Sequence, residues 1–180
     1  MARRQHTFLL ALAGAALAVG APVLALASSG ASHASAELRD AGGAVVGWAA
    51  FTEDATGRLH VNVHVNGLST GPHGVHIHAV GACSPDFLAS GGHHNPLGAT
   101  HGLNSPTGAH AGDLPNLVVN VAGVGHLDAT SDRASLSNGP TTVFDADRSA
   151  LVIHAGPDDQ VTNPTGNSGG RIACGVIVAD

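Results

Sequence analysis

The 180-residue sequence predicts an all-β fold, about eight antiparallel strands closed into a barrel or sandwich with two long functional loops. Three observations predict it. After the first 36 residues, apolar side chains alternate instead of recurring at helical spacing. Glycine (25) and proline (9) break the chain at short intervals, as tight turns require. Aromatic residues make up only 3%, so the core must be built from Val, Leu, Ile and Ala.

The elements follow in order. A first strand is expected near Glu37–Arg39 and a second over Ala44–Glu53, after the Gly42-Gly43 turn. Leu59–Asn66 is the clearest: Val61, Val63 and Val65 face one way, and His60, Asn62, His64 and Asn66 face the other. His60 and His64 thus read as a polar outer face. Gly74–Val80 follows, with Val75, Ile77 and Ala79 toward the core and His76 and His78 on the opposite side. The α-carbons of such a pair lie about 6.7 Å apart, close enough for two imidazoles to reach one metal, although a solvated strand face gives the same pattern. Asn116–Ala122 and His126–Thr130 suggest a hairpin around Gly123-Val124-Gly125. Ala150–Ala155 and Ile172–Val178 complete the set.

Residues 1–36 read as a secretory leader, leaving one domain over 37–180. Arg3 and Arg4 precede an apolar run from Phe8 to Ala27, and Ala25-Leu26-Ala27 and Ala34-Ser35-Ala36 both suit a signal peptidase. An uncleaved membrane anchor is the alternative. Export to the periplasm, the cell envelope or the medium is expected. In that compartment Cys83 and Cys174 read as a disulfide, with two buried thiols as the alternative. Past residue 36, five arginines and no lysine stand against all 13 acidic residues, a net charge of −8. That balance argues against nucleic acid, or an anionic membrane surface, as a partner of the mature domain. Eleven of the 13 histidines lie in the same region, which raises the prospect of metal.

Gly81–Pro115 and Gly156–Gly170 are too long and too polar to be simple turns. The first carries His93, His94, His101, His110 and Asp113. Three imidazoles and a carboxylate complete a tetrahedral zinc shell with no open position, which suits a structural zinc and not a hydrolytic one. His94 follows His93 directly and points to the other side of an extended chain, so it reads as packing or surface. Downstream, His154 ends a strand, and Asp158 and Asp159 could hydrogen-bond the outer nitrogens of metal-bound imidazoles.

Together these motifs resemble the copper/zinc superoxide dismutases along nearly all of the chain after the leader. Gly74-Val75-His76-Ile77-His78-Ala79-Val80-Gly81 is similar to the family's copper motif. Gly92-His93-His94-Asn95-Pro96-Leu97 and Gly112-Asp113-Leu114-Pro115-Asn116 resemble the two ends of its zinc loop. Ile153-His154 with Asp158-Asp159 resembles the segment bearing the last copper ligand, and Gly170-Arg171-Ile172-Ala173-Cys174-Gly175 resembles its C-terminal signature.

The resemblance implies an eight-stranded Greek-key barrel and a dismutase turning superoxide into dioxygen and hydrogen peroxide at a copper that cycles between Cu(II) and Cu(I). It implies copper on His76, His78, His93 and His154, and zinc on His93, His101, His110 and Asp113, with His93 bridging the ions and active in catalysis. It further implies Asp158 linking ligands of the two ions, a Cys83–Cys174 disulfide, and Arg171 as the catalytic cation beside the copper. His73 is expected to be structural. The family includes monomers and dimers, so a homodimer stays open. Two other classes compete: a copper-binding or storage domain without turnover, and a zinc hydrolase, which needs an open zinc position.

Overall fold

Ten strands form in the computed structural model, which describes Met1 and residues 32–180. They are β1 (His33–Asp40), β2 (Val45–Glu53), β3 (Leu59–Asn66), β4 (Gly71–His73), β5 (Val75–His78), β6 (Leu117–Val119), β7 (Val124–Ser131), β8 (Ala150–His154), β9 (Arg171–Val176) and β10 (Val178–Ala179). The expected leader lies, up to residue 31, outside the described residues. Among the described residues the only helical element is a 3-10 turn at Phe87–Ser90, and no helix is long and apolar enough to cross a membrane.

All pairings between these strands are antiparallel, in the order β4-β6-β7-β3-β2-β1-β9-β8-β5, with β10 on β1. The two ends of this sheet, β4 and β5, are separated only by Gly74, so the chain itself nearly closes the barrel. Alternation does what the sequence requires of it. Val61, Val63 and Val65 of β3 are buried against Ala34, Ala36, Leu38, Ala49 and Phe51, while His60 and Asn66 face solvent. Burial of this aliphatic set supplies most of the driving force, at about 25 cal/mol for each Å² of apolar surface removed from water.

The differences from expectation are local. The hairpin joining β6 and β7 turns earlier than expected: the Gly123 N–H bonds the Asn120 carbonyl and the Asn120 N–H bonds the Val124 carbonyl, so Val124 and Gly125 already belong to β7. β4 and β10 are short additional strands with too few residues to show alternation. A third long connection, residues 132–149, plugs one end of the barrel with Ala134, Leu136 and Val143. Glu53 holds this plug. Its carboxylate accepts from the Leu136 N–H (2.5 Å), the Ser137 N–H (2.7 Å) and the Ser137 hydroxyl (2.5 Å). Burial acts to raise its pKa, but these donors outweigh it and hold the group below its ordinary value.

The Cys83–Cys174 disulfide is present, with α-carbons 5.8 Å apart and the partners 91 positions apart in the sequence. It fastens the start of the first long loop to β9.

Candidate metal centre

Strand β5 is buried along its whole length. Val75 and Ile77 enter the barrel core, and β8 covers one edge, pairing His76 with Val152 and His78 with Ala150. The other edge is taken by the first long loop. The Ile77 N–H bonds the Gly112 carbonyl (2.8 Å), the His94 N–H bonds the Ile77 carbonyl (2.8 Å), and the Ala79 N–H bonds the Gly92 carbonyl (2.9 Å). These bonds set His93 opposite His78 and Asp113 opposite His76. Gly112 makes the approach possible, because a Cβ there would stand 2.1 Å from the Ile77 carbonyl oxygen. Residues far apart in the chain thus reach one place by backbone pairing.

Accounting for each ring nitrogen shows what they do there. His78 Nδ1 donates to the Gly91 carbonyl (3.0 Å) and His154 Nδ1 to the Gly169 carbonyl (3.1 Å). Their Nε2 atoms therefore carry lone pairs, and these face each other at 3.4 Å. His76 Nε2 donates to Asp158 Oδ2 at 2.6 Å, leaving a buried Nδ1 without a partner. His93 Nδ1 lies 2.9 Å from Asp113 Oδ1, and its Nε2 is likewise buried and unpartnered. The four rings offer nitrogens within 4.8 Å of one another. Acceptors turned on each other without a proton between them are what a cation requires.

A second group shares His93. Asp113 Oδ1 lies 2.9 Å from His93 Nδ1, 3.0 Å from His101 Nδ1 and 3.4 Å from His110 Nδ1, and the His93 and His110 Nδ1 atoms are 3.3 Å apart. A tetrahedron with bonds near 2.0 Å has edges of about 3.3 Å, so this donor set fits zinc. His76 also comes within 4.8 Å of His93, His101 and Asp113, but its one unpartnered nitrogen is Nδ1.

The electrostatics agree. Burial pushes His76 down to about 3, His78 to about 2 and His154 to about 4, so these rings are neutral at neutral pH with lone pairs free to bind. Burial alone would raise Asp113. Hydrogen bonds from His110, His93 and the Gly102 N–H hold it instead well below the usual carboxylate range.

Asp158 joins the two groups. While Oδ2 accepts from His76, Oδ1 accepts from His101 Nε2 at 3.0 Å. Sequence reasoning left Asp158 and Asp159 side by side; the structure buries the first and leaves the second exposed, capping the N–H groups of Val161 and Thr162. Two supports of Asp158 were not foreseen. Asn116 binds its backbone on both sides, Nδ2 to the carbonyl and Oδ1 from the N–H, each at 2.8 Å. Gly166, at φ +60°, leaves the space the carboxylate occupies: a Cβ there would lie 1.8 Å from Asp158 Oδ1. A glycine in a glycine-rich loop carries no signal that could have singled it out.

Arg171 opens β9, half-buried beside this cluster. Its Nη1 donates to the Phe87 carbonyl (2.5 Å) and Ser90 Oγ (2.9 Å), and its Nη2 donates to the Gly91 carbonyl (2.6 Å). That last carbonyl also takes the His78 proton, so the guanidinium and one ring of the cluster share one anchor. The remaining histidines stand apart. His73 Nδ1 lies 2.7 Å from the His154 carbonyl and its Nε2 2.8 Å from that of Ser69, so it braces the backbone. His94 is packed under Thr141.

Comparison with known proteins accords with this geometry. The family model described as copper/zinc superoxide dismutase matches residues 45–177. A superoxide dismutase [Cu-Zn] of Deinococcus radiodurans is 40% identical over 176 residues, 91% of this chain and 93% of that one. The superoxide dismutase-like protein YojM of Bacillus subtilis is 41% identical, over 77% of this chain and 72% of its own. A solved SOD-like protein from Bacillus subtilis superposes with a TM-score of 0.75 at 39% identity, covering 84% of this chain and 100% of that one. With a barrel of this topology, a cluster of imidazoles about a shared ring, and a family match over most of its length, the chain belongs to the copper/zinc superoxide dismutase family.

Proposed function

We propose that this protein dismutates superoxide, converting two superoxide anions and two protons into dioxygen and hydrogen peroxide. The observation that carries the reading is the two-sided environment of His93, whose Nδ1 faces Asp113 and whose Nε2 faces the other three rings. In this reading His76 Nδ1 and the Nε2 atoms of His78, His93 and His154 hold copper. The Nδ1 atoms of His93, His101 and His110 hold zinc with Asp113. Copper supplies the one-electron chemistry that closed-shell zinc lacks. A proton and copper are alternatives on the one lone pair of His93 Nε2, so this nitrogen would carry a proton for peroxide only while copper is not bound to it. Asp158 fixes the tautomers of His76 and His101. Arg171 attracts and orients the anion within a strongly acidic chain, and its backbone anchors keep the guanidinium pointed there.

The competing reading, a copper-holding domain without turnover, draws on the likeness to a protein described only as superoxide dismutase-like. The presence here of all four imidazoles and of Arg171 favours turnover. Superoxide consumption by the copper- and zinc-loaded protein, followed against ionic strength, separates the two. Arg171→Ala is expected to slow it by roughly 10-fold at low salt and to flatten its salt dependence. An inert loaded protein leaves the storage reading standing, and an unchanged rate in the variant removes Arg171 from the mechanism.

Export is part of the same proposal, supported by the leader pattern and the disulfide. Of the two cleavage candidates, this reading favours the upstream one, after Ala27. Ala34 and Ala36 are core residues of β1, 1% and 2% exposed, and His33–Ala36 pair with Ala49–Thr52. Cutting after Ala36 would remove half a strand, whereas cutting after Ala27 leaves it whole. N-terminal sequencing of the exported protein should therefore begin at residue 28; a start at residue 37 contradicts this.

A further inference from the structure

Among the described residues, every histidine that is not buried lies on one surface, the outer face of β1, β2, β3 and β7: His33, His60, His64 and His126. This face lies half-way round the barrel from β5. Register sorts its members into rows. Trp48 stands opposite His64, and His64 opposite His126. The two imidazoles are stacked, centroids 4.2 Å apart and planes 12° from parallel, and Trp48 flanks His64 with centroids 4.5 Å apart. The neighbouring row sets Asn62 opposite Asp128.

Between these rows the Asn62 amide nitrogen sits between two acceptors. His126 Nε2 lies 3.3 Å from Asp128 Oδ2 and 3.1 Å from Asn62 Nδ2, which also touches Asp128 Oδ1. Asn62 Oδ1 is buried with no hydrogen-bond partner. A cation entering between the imidazole nitrogen and the carboxylate would replace this donor, and turning the amide over would then present Oδ1 to it. Three acceptors then converge on one point, with a second imidazole stacked alongside. The buried centre has a similar ring arrangement, His76 and His93 lying 3.9 Å apart at 26°.

We propose that His126, Asp128 and Asn62, joined by His64 after rotation of its exposed ring, form an outward-facing site for a divalent transition-metal ion, distinct from the buried pair. Imidazole with carboxylate and amide oxygen suits Cu(II) and Zn(II), and Cu(II) binds the more tightly. The site needs no turnover at the buried centre, so its test stands apart from the dismutase reading.

Trp48 is the sole tryptophan and lies against His64, so its fluorescence reports the site directly. Cu(II) added to the protein already loaded with copper and zinc is expected to quench Trp48 further, saturating at one added equivalent. Zn(II) should compete without quenching. His126→Gln and Asp128→Asn should each raise the Cu(II) concentration needed by tenfold or more, with superoxide consumption unchanged. His33→Gln and His60→Gln should leave the curve where it is. No added quenching, quenching that survives the His64→Gln, His126→Gln double variant, or loss that follows His60→Gln would each overturn the proposal.

Discussion

Replacing Asp158 by alanine is expected to weaken the binding of both ions, by about 10–100-fold each. The effect is double because each carboxylate oxygen serves a ring of a different group: Oδ2 takes the His76 proton and Oδ1 that of His101. Without them, two buried N–H groups lose their partners, and each ring is free to change tautomer or turn its lone pair away. Chelator competition for copper and zinc, run separately, reads the two effects. Asp158→Asn keeps the volume and one acceptor, so it should hold the His76 or the His101 link but not both, and its two affinities should split. Gly166→Ala should reproduce the alanine result without touching a ligand, since its Cβ would fall 1.8 Å from Asp158 Oδ1 and 2.6 Å from His101 Nε2. Wild-type affinity for both ions in Asp158→Ala would show that the carboxylate does not join the two groups.

Removing the disulfide, as Cys83→Ser with Cys174→Ser, is expected to lower stability by about 4–5 kcal/mol, the chain-entropy value for the 91-residue span it closes. A second consequence is more local. Cys83 begins the segment whose Phe87 and Gly91 carbonyls hold the guanidinium, and Cys174 lies three residues beyond Arg171 on β9. Releasing this clamp should loosen Arg171 and the shared Gly91 anchor of His78. The rate of superoxide consumption should then lose part of its salt dependence even where the protein stays folded and metal-loaded. Chemical unfolding and the salt profile of the loaded variant test the two consequences independently. An unchanged unfolding midpoint would contradict the first, and an unchanged salt profile the second.

The order in which features became legible follows from their physics. Leu59–Asn66 was readable to the residue, because one valine in two is a local signal and a half-buried strand answers to it directly. The face of His76 and His78 followed from the same period. Composition and spacing brought out the histidines of the long loop, and resemblance sorted them into two groups. Glu53 was opaque, because a carboxylate at a strand end reads as solvent-exposed until residue 137 folds over it. The plug at 132–149 was missed since its apolar residues share no period. Asn116 and Gly166 were silent because their roles lie entirely in what stands across from them.

By itself, then, the sequence determined the strand class and the polar and apolar faces, which depend on neighbours a few positions away, and it brought out the histidines and aspartates that could bind metal. Tertiary structure alone decided which nitrogen of each ring is free, which of two adjacent aspartates joins the two groups, and that His64 meets His126 on the far side of the barrel. Those outcomes depend on strand order and register between segments distant in the chain, and a pattern of period two says which face a side chain takes without saying what it will face.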